Sequence, residues 1–497
     1  MEKIKEKLKA ITLKQWHIVI IIAGILFIAL SAFHSNVWFD ECYSVGLARH
    51  TFGEIWSIGG HDVHPILYYW LLQIVYLLTG GSIMAYRIFS VIPSAILIVL
   101  GYTHIRKDFG EKTGFIFSFL SSFLPEMAVY AVEIRMYSWA ILAVTILSIY
   151  AYRLSKEDNT KNWIIFGIAS LVSIYLHYYG LMAAGIINVI LLVYLIIKKR
   201  RKGLIFIISF GVVQALAYLP WLMNFVTQLS NVSNGFWIGF SFPKTPMELL
   251  SSQLAGYVKS SDYTDLLVPT VLALELYGYI IYKTYKYFKE KQDLKPFKWS
   301  VIVYFAVILA AIIITVVMKT SILYYRYLFV ITGLYIFAVS FILAKEKNKV
   351  EIITILSVIA ILGGYNNIKI IKDNYDSSNY EPMNYIKENI QDGDTIAFSN
   401  LGGGFVAAVH FVDNQVYFYN PENWGVEEAY KAFGPNYETC VTKDFVENCS
   451  NRVWVIDDVN GSVWEELFKE KDYKKVSEKE FFTKYHDYNY KITLIEK

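Results

Sequence analysis

Two polar clusters stand out in an otherwise apolar chain. The first is the adjacent pair Asp40-Glu41, which follows an apolar run, and the second is His61-Asp62-Val63-His64-Pro65. Carboxylates close to membrane hydrocarbon are costly unless they line a polar cavity or have partners. Because adjacent carboxylates repel each other, one of the pair suits proton transfer. The alternative is a solvated loop whose acids lie near a membrane surface.

The second cluster carries side chains with metal-ligand chemistry, His61, Asp62 and His64. Their spacing matches no strong metal motif, so we predict a hydrogen-bonded cluster that fixes the loop, and no metal ligand is assigned. No motif predicts a cofactor, and a divalent cation stays an alternative. The chain has no Walker A, Rossmann or G-x-S-x-G motif, which argues against a cytosolic nucleotide as direct donor.

The composition indicates a polytopic α-helical membrane protein. The 497 residues are 55% hydrophobic and 18% charged, whereas soluble domains carry about 25% charged residues. The net charge of +3 is too small to suggest a nucleic-acid partner. Apolar runs predict about 11 transmembrane helices, at residues 16–33, 86–105, 113–130, 137–153, 162–178, 181–197, 204–221, 269–287, 299–318, 322–343 and 349–366.

Positive charges predict the orientation of these helices. The Lys-rich first fifteen residues place the N-terminus in the cytoplasm, and with eleven spans every later basic loop also faces the cytoplasm. A further apolar run at 64–79 is shorter than the roughly 20 residues that a span needs. If it crossed the membrane, all basic loops but the first would face outward, so we predict a helix in the outer interface.

This topology places residues 34–85 and 367–497 outside the cytoplasm, together with further polar residues between the helices. An arginine there is well shaped to hold a phosphate, although it can also reach toward lipid headgroups. A histidine at a helix end can contact substrate or simply satisfy the local structure. The candidate residues of these segments are Glu133, Arg135, Tyr137, His177, Tyr178, Tyr325 and Arg326.

The last 130 residues change character. Short strand-like runs at 395–398 and 453–456 alternate with helical pieces and glycine turns, which predicts a small extracytoplasmic α/β domain. We therefore divide the chain into a transmembrane domain, 1–366, whose first outer loop 34–85 carries the active site, and a domain at 367–497. Cys440 and Cys449 either pair in an oxidising exterior or are buried separately.

The order of the polar motifs resembles a known family of membrane glycosyltransferases. Over roughly residues 15–345, the sequence resembles the family-39-type enzymes of the GT-C fold. These enzymes are related to protein O-mannosyltransferases and aminoarabinose transferases. Ile66 stands where the family often has a second proline. The motifs are Phe39-Asp40-Glu41, His61-Asp62-Val63-His64-Pro65-Ile66-Leu67-Tyr68-Tyr69, Tyr86-Arg87-Ile88-Phe89-Ser90, Glu133-Ile134-Arg135-Met136-Tyr137 and Leu176-His177-Tyr178-Tyr179-Gly180.

The resemblance implies transfer of a sugar from a polyprenyl-phosphate carrier to an acceptor outside the cytoplasm. Attack on the face opposite the phosphate would invert the anomeric carbon. Asp40 is then the base, Glu41 orients the acceptor or a neighbouring side chain, and Arg135 binds phosphate. The acceptor, whether protein, lipid or glycan, stays open. A lipid-linked glycan transporter and a non-catalytic polyprenyl-phosphate binder are the alternatives. The residues at these outward-facing positions and in the two clusters together form the predicted substrate-binding set: His61, Asp62, His64, Tyr68, Glu133, Arg135, Tyr137, His177, Tyr178, Tyr325 and Arg326.

Overall fold

The computed structural model describes residues 12–256 and 263–497. The chain divides into two compact units: a helical unit, Met1–Ala32 with Ile88–Ile368, and a sheet unit, Phe33–Arg87 with Lys369–Lys497. The sheet unit therefore contains the whole predicted first outer loop, 34–85. The predicted domain boundary after residue 366 stays a prediction. The lysines that indicate a cytoplasmic N-terminus lie, apart from Lys14, outside the described residues.

The secondary structure is mainly helical. The helices up to residue 197 are α1 Leu13–Ala29, α2 Phe39–Leu47, α3 Phe52–Gly59, α4 Leu67–Thr79, α5 Ile83–Phe109, α6 Glu111–Phe123, α7 Pro125–Tyr130, α8 Tyr137–Lys156, α9 Thr160–Leu176 and α10 Tyr178–Ile197. The later helices are α11 Arg201–Tyr218, α12 Leu222–Asn234, α13 Lys244–Ala255, α14 Leu267–Lys289, α15 Lys295–Met318, α16 Tyr325–Lys345, α17 Lys349–Asn374, α18 Glu381–Asn389, α19 Gly403–His410 and α20 Glu427–Tyr430.

Eight helical stretches of the described residues are long and apolar enough to cross a membrane. Each coincides with a predicted run, which confirms a polytopic helical membrane protein; α11 and α12 form one of these stretches. The predicted runs at 16–33 and 162–178 form α1 and α9, which have only 17 residues each. The number of eleven spans stays a prediction.

Two predicted apolar runs take more specific forms. The run 113–130 breaks into α6 and α7 because Leu124 is extended, with ψ 134°, and Pro125 opens the next helix. A residue before proline is disfavoured in the helical region, which explains the break. The run 64–79 forms α4, a helix of 13 residues. This length is below the roughly 20 residues of a span, and its place in the outer interface stays a prediction.

Small residues allow helices of the helical unit to pack closely. A Cβ at Gly333 of α16 would lie 1.9 Å from Oγ1 of Thr145 on α8. A Cβ at Gly24 of α1 would lie 1.9 Å from Oγ of Ser122 on α6. Packing between helices that cross a membrane depends on such close approach, since burial from water does not drive it. These glycines therefore fix how α8 and α6 meet their neighbours.

The sheet unit contains one six-stranded sheet. Its strand order is β3-β2-β1-β4-β6-β5. The first four strands in that order are parallel, whereas β6 pairs antiparallel with both β4 and β5. The strands are β1 Thr395–Phe398, β2 Gln415–Tyr419, β3 Tyr437–Cys440, β4 Arg452–Asp457, β5 Lys474–Phe482 and β6 Asn489–Glu496.

This sheet confirms the predicted C-terminal α/β fold, because the predicted strand-like runs form β1 and β4. β1 is buried along its whole length, as expected of a parallel strand in the middle of a sheet. Cys440 and Cys449 are buried free thiols. The alternative of separate burial therefore describes both cysteines.

Within the sheet unit, α2 packs against α19 and the turn Lys431–Phe433. A Cβ at Gly46 would lie 2.3 Å from the carbonyl oxygen of Ala432, so only glycine permits this approach. The Phe39 ring lies 5.0 Å from the Phe405 ring and 5.7 Å from the Phe433 ring, between centroids. The helix that carries Asp40 and Glu41 is thus held by the C-terminal part of the chain.

Candidate active site

Asp40 lies in the first turn of α2, where its backbone is fixed on both sides. The Phe39 amide donates a hydrogen bond to the Tyr488 hydroxyl at 3.1 Å. Ser44 Oγ donates to the carbonyl oxygen of Asp40 at 3.2 Å. The side chain of Asp40 is half-buried, so it borders solvent while its backbone is anchored. Its carboxylate also lies at the helix end that favours negative charge.

Glu41 occupies a very different environment, with no solvent exposure. Arg87 donates to both of its carboxylate oxygens, from Nη1 to Oε1 at 2.7 Å and from Nη2 to Oε2 at 2.9 Å. The Tyr485 hydroxyl donates to Oε2 at 2.8 Å, and Arg87 also donates to the carbonyl oxygen of Asn36. A buried carboxylate is tolerated when it is paired and hydrogen-bonded in this way. Glu41 therefore ties α2 to the rest of the sheet unit.

The second sequence cluster forms the predicted hydrogen-bonded arrangement. The Tyr69 hydroxyl donates to Oδ2 of Asp62 at 3.0 Å, and Nδ1 of His64 lies 3.4 Å from the same oxygen. His64 and Tyr68 are buried. His61 is exposed. Among the described residues, no group of three or more His, Cys, Asp or Glu side chains is placed to hold a metal ion.

Tyr430 connects the two clusters. Burial raises the pKa of Tyr430, and the negative charges of Asp40 and Asp62 raise it further. Both carboxylates therefore act on one phenol, although they are 22 positions apart in the sequence. Tyr430 also packs against Phe39, with ring centroids 6.0 Å apart. Asp40 and Asp62 thus both lie within electrostatic reach of the Tyr430 phenol.

The predicted arginines lie in the helical unit. Glu133 and Arg135 are buried between α7 and α8, and Arg326 is at the start of α16. Nη1 of Arg326 lies 3.8 Å from Oε1 of Glu133. The hydroxyl of the buried Tyr137 lies within electrostatic reach of Arg326, Arg135 and Glu133. Tyr325 is half-buried beside Arg326. Five sequence candidates therefore gather around Tyr137 and the start of α16.

His177 joins this group through its ring. Its ring centroid lies 5.7 Å from that of Tyr137 and 5.0 Å from that of Tyr327. Its Nδ1 accepts a hydrogen bond from the Tyr179 amide at 3.1 Å and so caps α10. This cap is the local structural role weighed against substrate contact. The Tyr178 hydroxyl donates to Oε1 of Gln228.

Three residues near the carboxylates were missing from the predicted site. Arg87 is a charged residue inside an apolar run, and such a residue indicates a buried partner, so the sequence contained a signal for it. Tyr430 and Tyr485 lie about 400 positions from the motifs in a tyrosine-rich domain. No local pattern distinguishes them from the other tyrosines. The structure places the predicted residues in two groups, one in each compact unit.

Comparison with known proteins supports the resemblance found in the sequence. Residues 63–233 match the family model described as dolichyl-phosphate-mannose-protein mannosyltransferase. No curated protein matches the sequence significantly. The matched segment contains the predicted residues from His64 to Tyr178, so the resemblance to GT-C membrane glycosyltransferases is confirmed.

The fold is that of a solved GT-C protein. The crystal structure of ArnT from Cupriavidus metallidurans bound to undecaprenyl phosphate aligns with a TM-score of 0.60 and 9% identity, covering 96% of this chain and 98% of that one. Its apo structure aligns at 0.47, with 12% identity and coverage of 96% and 97%. The Archaeoglobus fulgidus oligosaccharyltransferase in complex with zinc and sulfate aligns at 0.49, with 12% identity and coverage of 88% and 68%. The first alignment establishes an ArnT-like GT-C fold.

Proposed function

We propose that this chain, which has the GT-C fold, is an inverting glycosyltransferase that moves a sugar from a polyprenyl-phosphate carrier to an acceptor. The observation that carries the proposal is the contrast between Asp40 and Glu41. Arg87 and Tyr485 engage both oxygens of the buried Glu41 carboxylate. The neighbouring Asp40 is half-buried at the start of a firmly held helix, where an acceptor can reach it.

Asp40 acts as the general base. A bond forms between the acceptor oxygen and the anomeric carbon, while the bond from that carbon to the phosphate oxygen breaks. The acceptor's hydroxyl proton moves to the Asp40 carboxylate, and the phosphate leaves with the bonding electrons. Attack opposite the leaving group inverts the anomeric centre. A well-placed base contributes about 10²–10⁴-fold to the rate. Glu41 positions Asp40 through α2.

Arg135 and Arg326 bind the phosphate of the carrier. A phosphate monoester has a second pKa near 6, so it leaves with little need for a proton donor but is stabilised by positive charge. The Arg326–Glu133 separation of 3.8 Å is longer than the roughly 2.7–2.9 Å of a strong charge-assisted hydrogen bond. The guanidinium of Arg326 offers a phosphate a planar fork of N–H donors.

The carrier is a polyprenyl phosphate of the kind present in the ArnT structure, which contains undecaprenyl phosphate. The acceptor is a protein, lipid or glycan at the outer membrane surface. The remaining substrate-binding candidates contact the sugar or acceptor in this proposal: His61, Asp62, His64, Tyr68, Glu133, Tyr137, His177, Tyr178 and Tyr325. A divalent cation is not needed for the step as written.

The test uses the full chain in detergent with a polyprenyl-phosphate sugar carrying a radiolabel in the sugar. We expect label to leave the carrier when an extract of the native membrane is added as acceptor, and to stay on it otherwise. Retention of the label under every condition contradicts transfer and fits a transporter or a binder. Release of free sugar without acceptor identifies a hydrolase and also contradicts the proposal.

A variant pair tests the phosphate site. Arg135→Leu is expected to raise KM for the labelled donor at least tenfold, because one charge-assisted contact to phosphate is lost. The exposed Arg201→Leu is the matched control and is expected to leave KM unchanged. Equal KM values for both variants contradict the assignment of Arg135.

A further inference from the structure

The sheet unit contains a cavity that the proposed reaction does not use. Its volume is about 400 Å³, and its walls come from residues 35–37, α18, the end of α19 and the turn between β5 and β6. Pockets that bind small molecules have volumes of about 300–1,000 Å³. The cavity therefore has room for a ligand of one or two rings.

The walls combine aromatic rings with amide side chains. Four tyrosines and a phenylalanine line the cavity, and three asparagines lie among them. Aromatic rings offer flat apolar faces with a polar edge, and an amide can both donate and accept hydrogen bonds. A sugar ring presents the complementary surface, since its C–H groups form an apolar face and its hydroxyls need both donors and acceptors.

Some polar side chains of the cavity wall are hydrogen-bonded within the protein, and others can bind a ligand. Nδ2 of Asn379 donates to the carbonyl oxygen of Asp373 at 2.7 Å, and its Oδ1 accepts from the Tyr485 amide at 2.8 Å. The side chain of Asn384 is exposed and makes no hydrogen bond within the described residues. Its two donors and its acceptor can therefore serve a ligand.

His410 adds one directed acceptor. Its Nδ1 lies 2.8 Å from the carbonyl oxygen of Val406. That carbonyl can only accept, so Nδ1 carries the proton and Nε2 of the neutral ring is an acceptor. His410 is an exposed residue that lines the cavity, so Nε2 can accept a hydrogen bond from a ligand hydroxyl.

The charge of the lining selects the ligand further. Lys387 is exposed at the wall, and no aspartate or glutamate is among the lining residues. A cationic ligand would meet a like charge without a compensating carboxylate, whereas an anionic group gains from the ammonium. The cavity therefore favours a neutral or acidic ligand over a basic one.

We propose that this cavity binds a saccharide of one or two rings, with preference for one that carries a carboxylate. Two of its wall residues also hold the catalytic helix: the Tyr485 hydroxyl donates to Glu41, and the Tyr488 hydroxyl accepts from the Phe39 amide. A bound saccharide therefore contacts the side chains that position α2. The binding itself does not depend on the transfer reaction.

Saturation-transfer NMR on the detergent-solubilised full chain tests the site. The probes are maltose, glucuronic acid and glucosamine, with competition titrations to rank their affinities. We expect saturation of glucuronic acid and maltose, in that order, and the weakest signal from glucosamine. Asn384→Leu is expected to weaken binding at least fivefold, which corresponds to the loss of one or two hydrogen bonds.

Asn389→Leu is the matched control, because it makes the same change on the same helix outside the cavity. It is expected to bind as the unmodified chain does. Absence of saturation for all three probes, strongest binding of glucosamine, or equal binding by both variants overturns the proposal. Saturation by these probes with no sugar transfer would leave the saccharide site standing and count against the transferase alone.

Discussion

At the scale of the residue, Asp40 and Glu41 both have carboxylate side chains, but the environments of the two carboxylates differ. The carboxylate of Glu41 is fully buried against Arg87, whose side chain is 1% exposed. Asp40, the preceding residue in the first turn of α2, is half-buried. The pair thus separates into a positioning residue and a base, and each role follows from its environment.

Removing the charge of Glu41 is expected to destabilise the protein strongly. Glu41→Gln removes the carboxylate charge that pairs with the buried Arg87, and breaking a buried pair in this way costs about 3–5 kcal/mol. Glu428→Gln is the control, because its Lys431 pair is more than half exposed and such pairs contribute about 0–1 kcal/mol. Thermal unfolding in detergent measures both. A similar, small change for the two variants would contradict the role assigned to Glu41.

The motifs in the sequence were sufficient to select Asp40 and Glu41 as candidates and to predict the hydrogen-bonded cluster around Asp62. The split between Asp40 and Glu41 could not, because it depends on Arg87 and Tyr485. Tyr485 is 444 positions from Glu41, and no periodic pattern relates two residues at that separation. The signal for Arg87, a charge near the start of the apolar run 86–105, was present, but other runs also contain charged residues such as Glu275.

At the scale of the element, the pattern of apolar residues shows where helices lie, but it does not show where they break or how closely they pack. Hydrophobic runs predicted where helices lie, and the structure has a helix at each of them. The break at Leu124–Pro125 followed from proline chemistry, yet it lay inside one continuous apolar run. The close approach of α16 to α8 depends on a single missing side chain at Gly333.

Adding one carbon at Gly333 is expected to disturb that approach. The new Cβ of Gly333→Ala would lie 1.9 Å from Oγ1 of Thr145, and overpacking of this kind costs about 1–3 kcal/mol. Gly278→Ala is the control, because a Cβ there has nothing within 4 Å and alanine favours the helix. Thr145→Ala should restore the melting temperature of Gly333→Ala. A Gly333→Ala protein as stable as Gly278→Ala would refute the clash.

The carboxylate of Asp457 makes the sheet unit sensitive to pH. Burial raises its pKa to about 6, above the roughly 3.9 of an unfolded aspartate. The folded form therefore binds a proton that the unfolded form lacks between about pH 4 and 6, so stability falls as the pH rises through this window. Relative to Asp457→Asn, the unmodified chain should lose about 1–3 kcal/mol from pH 4 to 7.

Urea unfolding followed by tryptophan fluorescence at several pH values measures this difference. Asp472→Asn is the control, since Asp472 is exposed, whereas the charge of Asp458 itself raises the pKa of Asp457. The free energy of unfolding of Asp472→Asn should change with pH as that of the unmodified chain does. If the free energy of unfolding of Asp457→Asn also changes with pH as that of the unmodified chain does, Asp457 has the same pKa in the folded and unfolded states and the prediction is wrong.

At the scale of the whole molecule, the chain is a polytopic protein that divides into a helical and a sheet unit. The basic loops between helices predict that the sheet unit faces outward. A site at the outer membrane surface suits a polyprenyl-phosphate sugar, because its polyprenyl chain lies in the membrane and its phosphate lies at the surface. The sequence predicted the sheet unit as C-terminal only, because strand-like runs do not reveal that residues 33–87 join it.

Single cysteines test this orientation in intact cells. The native thiols are buried, so they should react little with a membrane-impermeant maleimide. Asp413→Cys lies at an exposed position of the sheet unit and should be labelled before lysis; Lys198→Cys, exposed between α10 and α11, should be labelled only after lysis. The reverse pattern would place the proposed site in the cytoplasm.

The most direct test of the central claim is the transfer rate of Asp40→Asn with a polyprenyl-phosphate sugar and a native acceptor. Asp392→Asn, at an exposed position outside the site, controls for loss of charge. We expect kcat to fall about 10²–10⁴-fold for Asp40→Asn, with its melting temperature and donor binding retained, and not to change for Asp392→Asn. Transfer by Asp40→Asn at the rate of the unmodified chain would contradict the role of Asp40 as the base.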